Sequence, residues 1–248
     1  MKKIFAANWK LQKTPAESAN FADQFLAQVG QLSADIFSHK EVFIFPQNFS
    51  LDILTQKFSS SKVQVGPQTI HFEKSGAFTG ENSAELSQKM GATLVLLGHS
   101  ERRQYFHETN SNISKKIILC QGLGLLPVLC IGETLAEREN NQTEHVCFQQ
   151  LTDALTGVDT QKRIVIAYEP VWAIGTGKVA TVEQVAEIHS KIDAKMKSLG
   201  FKDFQILYGG SVKPENAPQL IALPYVDGFL IGGASLEVAS FLKICQCL

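Results

Sequence analysis

No stretch of this 248-residue chain approaches the run of about 18 apolar residues that a membrane-spanning helix needs, so no membrane partner is expected. Neither sign of charge predominates: 23 Lys+Arg stand against 24 Asp+Glu, which leaves no basic footprint for nucleic acid and no acidic tail. Cysteine is sparse, odd in number and without a CxxC pair. Cys120, Cys130, Cys147, Cys245 and Cys247 suit reduced thiols in a cytosol better than a disulfide frame or a zinc site. The opening MKKIFAANWK has too few small or apolar residues before Asn8 to form a signal-peptide core, so a cytoplasmic location is expected. The Asn-x-Ser/Thr matches at Asn48, Asn112 and Asn141 then read as chance. Nothing resembling a Pro/Ser-rich linker or a composition break divides the chain, and one domain over residues 1–248 is expected.

What is present is a repeat. Short apolar runs recur as KIFAANW (3–9), EVFIF (41–45), KVQVG (62–66), TLVLLG (93–98), LPVLCIG (126–132), RIVIAYE (163–169), FQILYGG (204–210) and VDGFLIGG (226–233). Most are apolar at consecutive positions rather than alternating, which favours strands covered on both faces, as in a parallel sheet. The segments between them carry helical marks. Thr14-Pro15 reads as an N-cap with proline at the first helical position, and Thr134-x-x-Glu137 and Thr181-x-x-Gln184 have capping-box spacing. Val182, Val185, His189, Ile192, Met196 and Leu199 form one helical face, closed by Gly200. Strict βα alternation over eight units most simply closes into a (β/α)8 barrel; an open doubly wound sheet satisfies the same periodicity.

In such a barrel the chemistry gathers where strands end at the C-terminal mouth. Strand one ends in Asn8-Trp9-Lys10, strand four in Gly98-His99-Ser100-Glu101, strand six in Glu169-Pro170, strand seven in Gly209-Gly210-Ser211 and strand eight in Gly232-Gly233. Each has a plain reading as well: Lys10 as a solvated charge, His99 as a histidine bonded to local backbone, the glycine pairs as turns. Glu169 at the end of an apolar strand is expected to be partly desolvated, which raises its pKa and strengthens it as a base. The glycine pairs after strands seven and eight fall where barrels bind phosphate through exposed backbone N–H groups. GTGK at 175–178 is no P-loop, because Trp172 and Val179 occupy positions where a glycine and a Ser/Thr are needed. GHSER at 98–102 lacks the last glycine of a nucleophile elbow, and His189 on an apolar helix face is a poor triad partner.

Six blocks, NWK (8–10), GAFTGE (76–81), LGHSERR (97–103), YEPVWAIGTGK (168–178), YGGSVKPENA (208–217) and DGFLIGGASL (227–236), resemble the triosephosphate isomerase family in order and spacing over essentially the whole chain. The resemblance implies a TIM barrel that interconverts dihydroxyacetone phosphate and D-glyceraldehyde 3-phosphate through an enediolate, without metal or organic cofactor. It implies Glu169 as base, His99 as electrophile, and Lys10 and Asn8 as supporting groups that also bind substrate. Gly175, Ser211 and Gly233, with Gly232 adjacent, would supply backbone to the phosphate, and Glu101 would pair with Lys10 or orient it. It further implies a homodimer in which the segment around Phe78 and Thr79 enters the neighbour beside Asn8 and Lys10.

The chemistry agrees with these assignments. Moving a proton between adjacent carbons of a hydroxy-carbonyl phosphate needs a base, a donor for the developing oxyanion, a grip on phosphate, and a cover that excludes water. Pro170, Val171-Trp172, the apolar Ala173-Ile174 and Gly175-Thr176-Gly177-Lys178 read as that cover. Two alternatives remain at this stage: another phosphosugar isomerase or epimerase barrel, or a non-catalytic phosphate-binding barrel. Cys130, near the base, is expected to serve packing. FPQNFSLD (45–52) keeps Pro46 but then departs from the family pattern, and the tail KICQCL is particular to this chain. Neither departure is expected to touch the site.

Overall fold

The computed structural model describes residues 2–32, 37–173 and 180–247. Eight strands are present among the described residues: β1 (Lys3–Asn8), β2 (Lys40–Phe45), β3 (Val63–Val65), β4 (Leu94–Leu97), β5 (Leu126–Ile131), β6 (Ile164–Tyr168), β7 (Phe204–Tyr208) and β8 (Gly228–Ile231). All pair in parallel, in the order β3-β2-β1-β8-β7-β6-β5-β4. The remaining seam is bridged by backbone hydrogen bonds, from the Thr93 N–H to the Val65 carbonyl and from the Leu96 N–H to the Pro67 carbonyl, each 3.1 Å. An open sheet would leave β3 and β4 at opposite edges. These bonds bring them together, and the sheet is a (β/α)8 barrel.

Helices return the chain from each strand to the next: α1 (Pro15–Gly30), α2 (Leu51–Lys57), α3 (Ala84–Lys89), α4 (Ser100–Tyr105), α5 (Asn110–Leu123), α6 (Leu135–Glu139), α7 (Thr143–Ala154), α8 (Val182–Ser198), α9 (Ala217–Ile221) and α10 (Val238–Cys245). Their starts follow local chemistry. Thr14 caps α1 ahead of Pro15 and exchanges bonds with Glu17 in a full capping box, and Thr134/Glu137 and Thr181/Gln184 do the same for α6 and α8. None of the helices among the described residues is long and apolar enough to cross a membrane.

The strands divide their side chains between two cores. Ile4, Ala6, Phe43, Phe45, Leu94, Leu96, Val128, Cys130, Val165, Ala167, Leu207 and Leu230 pack together inside the barrel. The alternate positions, such as Phe5, Ala7, Val95, Leu129, Ile166 and Ile206, join the larger core beneath the helices. Being apolar on both faces explains the unbroken hydrophobic runs. It also fixes a parity. The inward row of β1 runs Ile4, Ala6 and then Asn8, and that of β6 runs Val165, Ala167 and then Glu169.

On α8, Val185, Ile188, His189, Ile192 and Met196 are buried. The His189 ring is fully enclosed: Nδ1 lies 2.9 Å from the Tyr225 carbonyl, and the ring meets Tyr168 edge-on at 5.9 Å. Nε2 has no hydrogen-bond partner among the described residues. Burial pushes the pKa of His189 down to about 4 from 6.5, against the smaller opposing effect of the Tyr225 bond. The unfolded chain therefore binds this proton more readily than the folded one, and the stability held above pH 6.5 is lost as pH falls toward 4. The shift corresponds to about 3 kcal/mol. Urea midpoints measured across that range are expected to fall with this contribution in the wild-type chain, and to lack it in a His189→Gln variant.

Candidate active site

Asn8, Lys10, His99, Glu169, Ser211, Gly232 and Gly233 line one cavity of about 310 Å³ at the C-terminal mouth, together with Gly209, Gly210, Val212, Lys213, Leu230 and Ala234. Five strands thus deliver the residues that the sequence nominated. Gly175 and the other lid positions from Ile174 to Lys178 lie outside the described residues.

Glu169 follows β6 directly, and its backbone N–H donates to the Ile131 carbonyl of β5 at 2.7 Å. Its carboxylate is almost fully buried, with one oxygen accepting from the Ser100 N–H at 3.1 Å and the other 3.0 Å from His99 Nε2. Two glycines make room for it. A Cβ at Gly209 would lie 2.9 Å from Glu169 Cγ, and one at Gly132 would lie 1.7 Å from the Glu169 carbonyl oxygen. Burial drives the carboxyl pKa up, as the sequence suggested. When His99 is charged, its attraction and hydrogen bond, the Ser100 amide and the Lys10 ammonium together outweigh burial, and the group sits below its ordinary value; a neutral His99 leaves the hydrogen bonds and Lys10 to oppose burial. The expectation of a raised pKa considered desolvation alone; in this arrangement the carboxylate is engaged by donors.

His99 is the N-cap residue of α4, and its Nδ1 accepts the Glu101 N–H at 3.2 Å. A ring nitrogen that accepts an amide proton carries none itself, so a neutral ring holds its proton on Nε2, facing Glu169 and the cavity. The Glu101 carboxylate lies 3.5 Å from the same Nδ1, farther than the amide, and pairs instead with Lys10 Nζ at 2.7 Å.

Lys10 has φ +51°, the left-handed region that a lysine occupies at a cost of about 1 kcal/mol or more. Its N–H donates to Asn8 Oδ1 at 3.1 Å, which leaves the Asn8 amide hydrogens for a ligand. Its carbonyl accepts from Gln47 Nε2 and from Gln68 Nε2, both at 2.9 Å. The segment after Pro46 therefore does touch the site, contrary to the expectation from sequence. Neither Gln47 nor Gln68 was nominated from the sequence, since an uncharged glutamine past a strand end carries no mark of its own. The parity of the barrel marks both: Gln47 lies two residues beyond Phe45, the last inward residue of β2, and Gln68 continues the inward row of β3 through Gly66, just past its end.

Glu133, just past β5, is fully buried and also escaped the sequence reading. It accepts from the Tyr168 hydroxyl at 3.0 and 3.1 Å, from Trp172 Nε1 at 2.9 Å and from Arg138 at 3.2 Å. Arg138 also lies over the Trp172 ring. Trp172, read as part of a hinge, is thus tied to Glu133 at the end of β5. Cys130 is buried, and burial first and the Glu169 carboxylate second push its thiol well above the ordinary range, which keeps it protonated. Phe78 stacks on His71 with ring centroids 4.0 Å apart and stays partly exposed, with Thr79 exposed beside it. Among the described residues, no group of three or more His, Cys, Asp or Glu is arranged to hold a metal ion.

The model of the triosephosphate isomerase family matches residues 3–248. The chain belongs to this family. It is 51% identical over 246 residues to the triosephosphate isomerase of Bdellovibrio bacteriovorus, covering 99% of this chain and 100% of that one. It is 45% identical to the triosephosphate isomerase of Pelodictyon phaeoclathratiforme, with 99% and 98% covered. The crystal structure of triosephosphate isomerase from Bartonella henselae superimposes with a TM-score of 0.89 at 35% identity, covering 100% of this chain and 99% of that chain.

The fit around Glu169 gives a direct expectation. Gly209→Ala should push the carboxylate off its present position and lower kcat by about 10- to 100-fold, the usual scale for misplacing a reacting group by about 1 Å. Steady-state kinetics beside a thermal melt check it; unchanged kcat would mean that the cavity wall yields instead.

Proposed function

We propose that the chain interconverts dihydroxyacetone phosphate and D-glyceraldehyde 3-phosphate by proton transfer at Glu169, as a single-domain barrel and as a homodimer in the cytoplasm. The observation that carries the mechanism is the buried contact between Glu169 and the protonated nitrogen of His99. Substrate entering the cavity brings a carbonyl oxygen, which takes over the His99 Nε2–H. Glu169, released from His99 and Ser100, loses two of the interactions that lower its pKa but keeps its burial. It becomes a stronger base when a carbon acid is presented to it. The proton leaves carbon for the carboxylate, and the electron pair forms an enediolate whose oxygen is held by His99. The carboxyl, whose proton can exchange with solvent while the enediolate persists, then protonates the neighbouring carbon, and His99 moves protons between the two oxygens.

Lys10 supplies positive charge to both the enediolate and the phosphate, and Asn8 an amide donor. The backbone at Ser211, Gly232 and Gly233 faces the phosphate end, with Gly175 assigned there from sequence. Glu101 keeps the Lys10 ammonium extended across the mouth. Water reaching an enediolate with phosphate on the next carbon invites elimination of phosphate, so the segment 170–178 is read as the lid. The proton transfer needs neither metal nor organic cofactor.

The homodimer is supported by a sector of exposed apolar groups. Leu11 is 87% exposed, Phe49 64% and Phe106 65%, and Phe78, Leu86 and Tyr105 accompany them. All follow β1 to β4, which are adjacent around the barrel, and large apolar groups gathered on one face suit an interface. Phe78 and Thr79 would enter the partner beside Asn8 and Lys10. A cytoplasmic setting keeps Cys120, Cys130, Cys147, Cys245 and Cys247 reduced.

In heavy water the wild-type chain is expected to incorporate deuterium into triose phosphate; absence of enzyme-dependent label would end the proton-transfer reading. Glu169→Gln should fold, bind a phosphate-bearing substrate analogue and lose about three or more orders of magnitude in kcat. Retention of more than about a tenth of the rate would remove it from the role of base. Lys10→Ala should weaken analogue binding and rate together, and a titration showing unchanged affinity would contradict its double assignment.

A further inference from the structure

We propose that Gln47 is a positioning residue for the reaction: its side-chain amide holds Lys10 in the left-handed backbone conformation that presents the ammonium to the cavity. Lys10 is not a glycine, yet its φ is +51°. Nothing in a lysine favours that conformation, so the surroundings must hold it. The holding groups are on three sides. Asn8 Oδ1 takes the Lys10 N–H at 3.1 Å, and the two side-chain amides of Gln47 and Gln68 donate to the Lys10 carbonyl at 2.9 Å each. A carbonyl oxygen has two lone pairs, and here both have donors.

The two amides come from different loops. Gln68 follows β3 and also donates to the Phe45 carbonyl at 3.0 Å, so it ties its loop to the end of β2 as well as to Lys10. Gln47 follows β2. Its backbone is fixed by the turn it opens, where the Ser50 N–H donates to the Gln47 carbonyl at 2.9 Å, and its half-buried side chain reaches across to Lys10. Gln47 thus joins the loop after β1 to the loop after β2 at the residue whose charge the chemistry uses. It stands directly after Pro46 at the end of β2. The Lys10 ammonium is already drawn toward Glu101 at 2.7 Å; an anchored backbone prevents that pair from pulling the lysine out of register with His99 and Glu169.

The inference rests on the assignment of Lys10 to substrate and phosphate, and the experiment separates the two. Gln47→Leu keeps size and removes the donor. It is expected to lower kcat/KM by about five- to tenfold, the effect of one hydrogen bond, and to weaken competitive inhibition by inorganic phosphate by a similar factor, with circular dichroism unchanged. The decisive arm is the double-mutant cycle. If Gln47 acts through Lys10, Gln47→Leu changes neither phosphate affinity nor rate further in a Lys10→Ala background. The same losses in that background, or a single variant with wild-type kcat/KM, would overturn the proposal while leaving the Lys10 assignment intact. If Lys10→Ala alone left phosphate affinity and rate unchanged, both would fall. Should Gln47→Leu fail to fold, Gln47→Glu keeps the shape and sets an acceptor against the carbonyl. Its deficit relative to wild type should shrink as pH falls toward the carboxyl pKa, where an O–H can donate again; a deficit independent of pH would count against the clamp.

Discussion

The hydrogen-bonded contact between His99 and Glu169 sets the condition under which everything else at the mouth must operate. A carboxylate this deeply buried would shed its charge if it had no donors, and with donors permanently attached it would be a poor base. In the proposed mechanism the conflict is resolved because the donors are replaceable. His99 Nε2 and the Ser100 N–H engage Glu169 in this structure, and a bound substrate would take over the His99 donor. The Glu101 N–H on His99 Nδ1 matters for the same reason, because it fixes which ring nitrogen carries the proton.

The barrel supplies this geometry through parity. A strand buried on both faces sends alternate residues to the barrel interior and to the helix layer, and the inward row emerges at the mouth. Asn8 and Glu169 are inward residues at the tops of their strands, whereas Phe5 and Ile166 in the outward rows meet the helices. Glycines occupy the positions where a Cβ would strike Glu169, its backbone carbonyl at Gly132 and its side chain at Gly209. The strained Lys10 and the buried Glu133 show what the rigid frame permits: an unfavourable backbone conformation and a fully enclosed carboxylate, each held by several hydrogen bonds.

Much of this was legible beforehand, for identifiable reasons. All eight apolar runs became strands, since runs of that length and continuity fit a two-sided parallel sheet. The Thr134 and Thr181 caps formed because capping is a local matter of a hydroxyl reaching an amide three residues on. His99 and Glu169 stood out as polar residues at apolar strand ends, and both line the cavity at the mouth. Gln47 was passed over because it stood in a segment that looked like mere divergence. Glu133 was passed over because its importance lies in Tyr168, Trp172 and Arg138, which meet it only in space. At Glu169 the sequence revealed the burial that raises the pKa but not the donors that oppose it, because burial follows from a strand's pattern and hydrogen-bond partners do not.

The sequence by itself determined the eightfold βα repeat, the resemblance in its motifs, and the residue types available for catalysis, because periodicity and local capping act over a few residues. Only the tertiary structure decided that the sheet closes, which nitrogen of His99 faces Glu169, that donors oppose burial at the carboxylate, and that two glutamines hold Lys10. Each of these depends on groups far apart in the chain, whose separation to a few tenths of an ångström sets the sign and size of an electrostatic interaction. Spacing along a sequence carries no such distances.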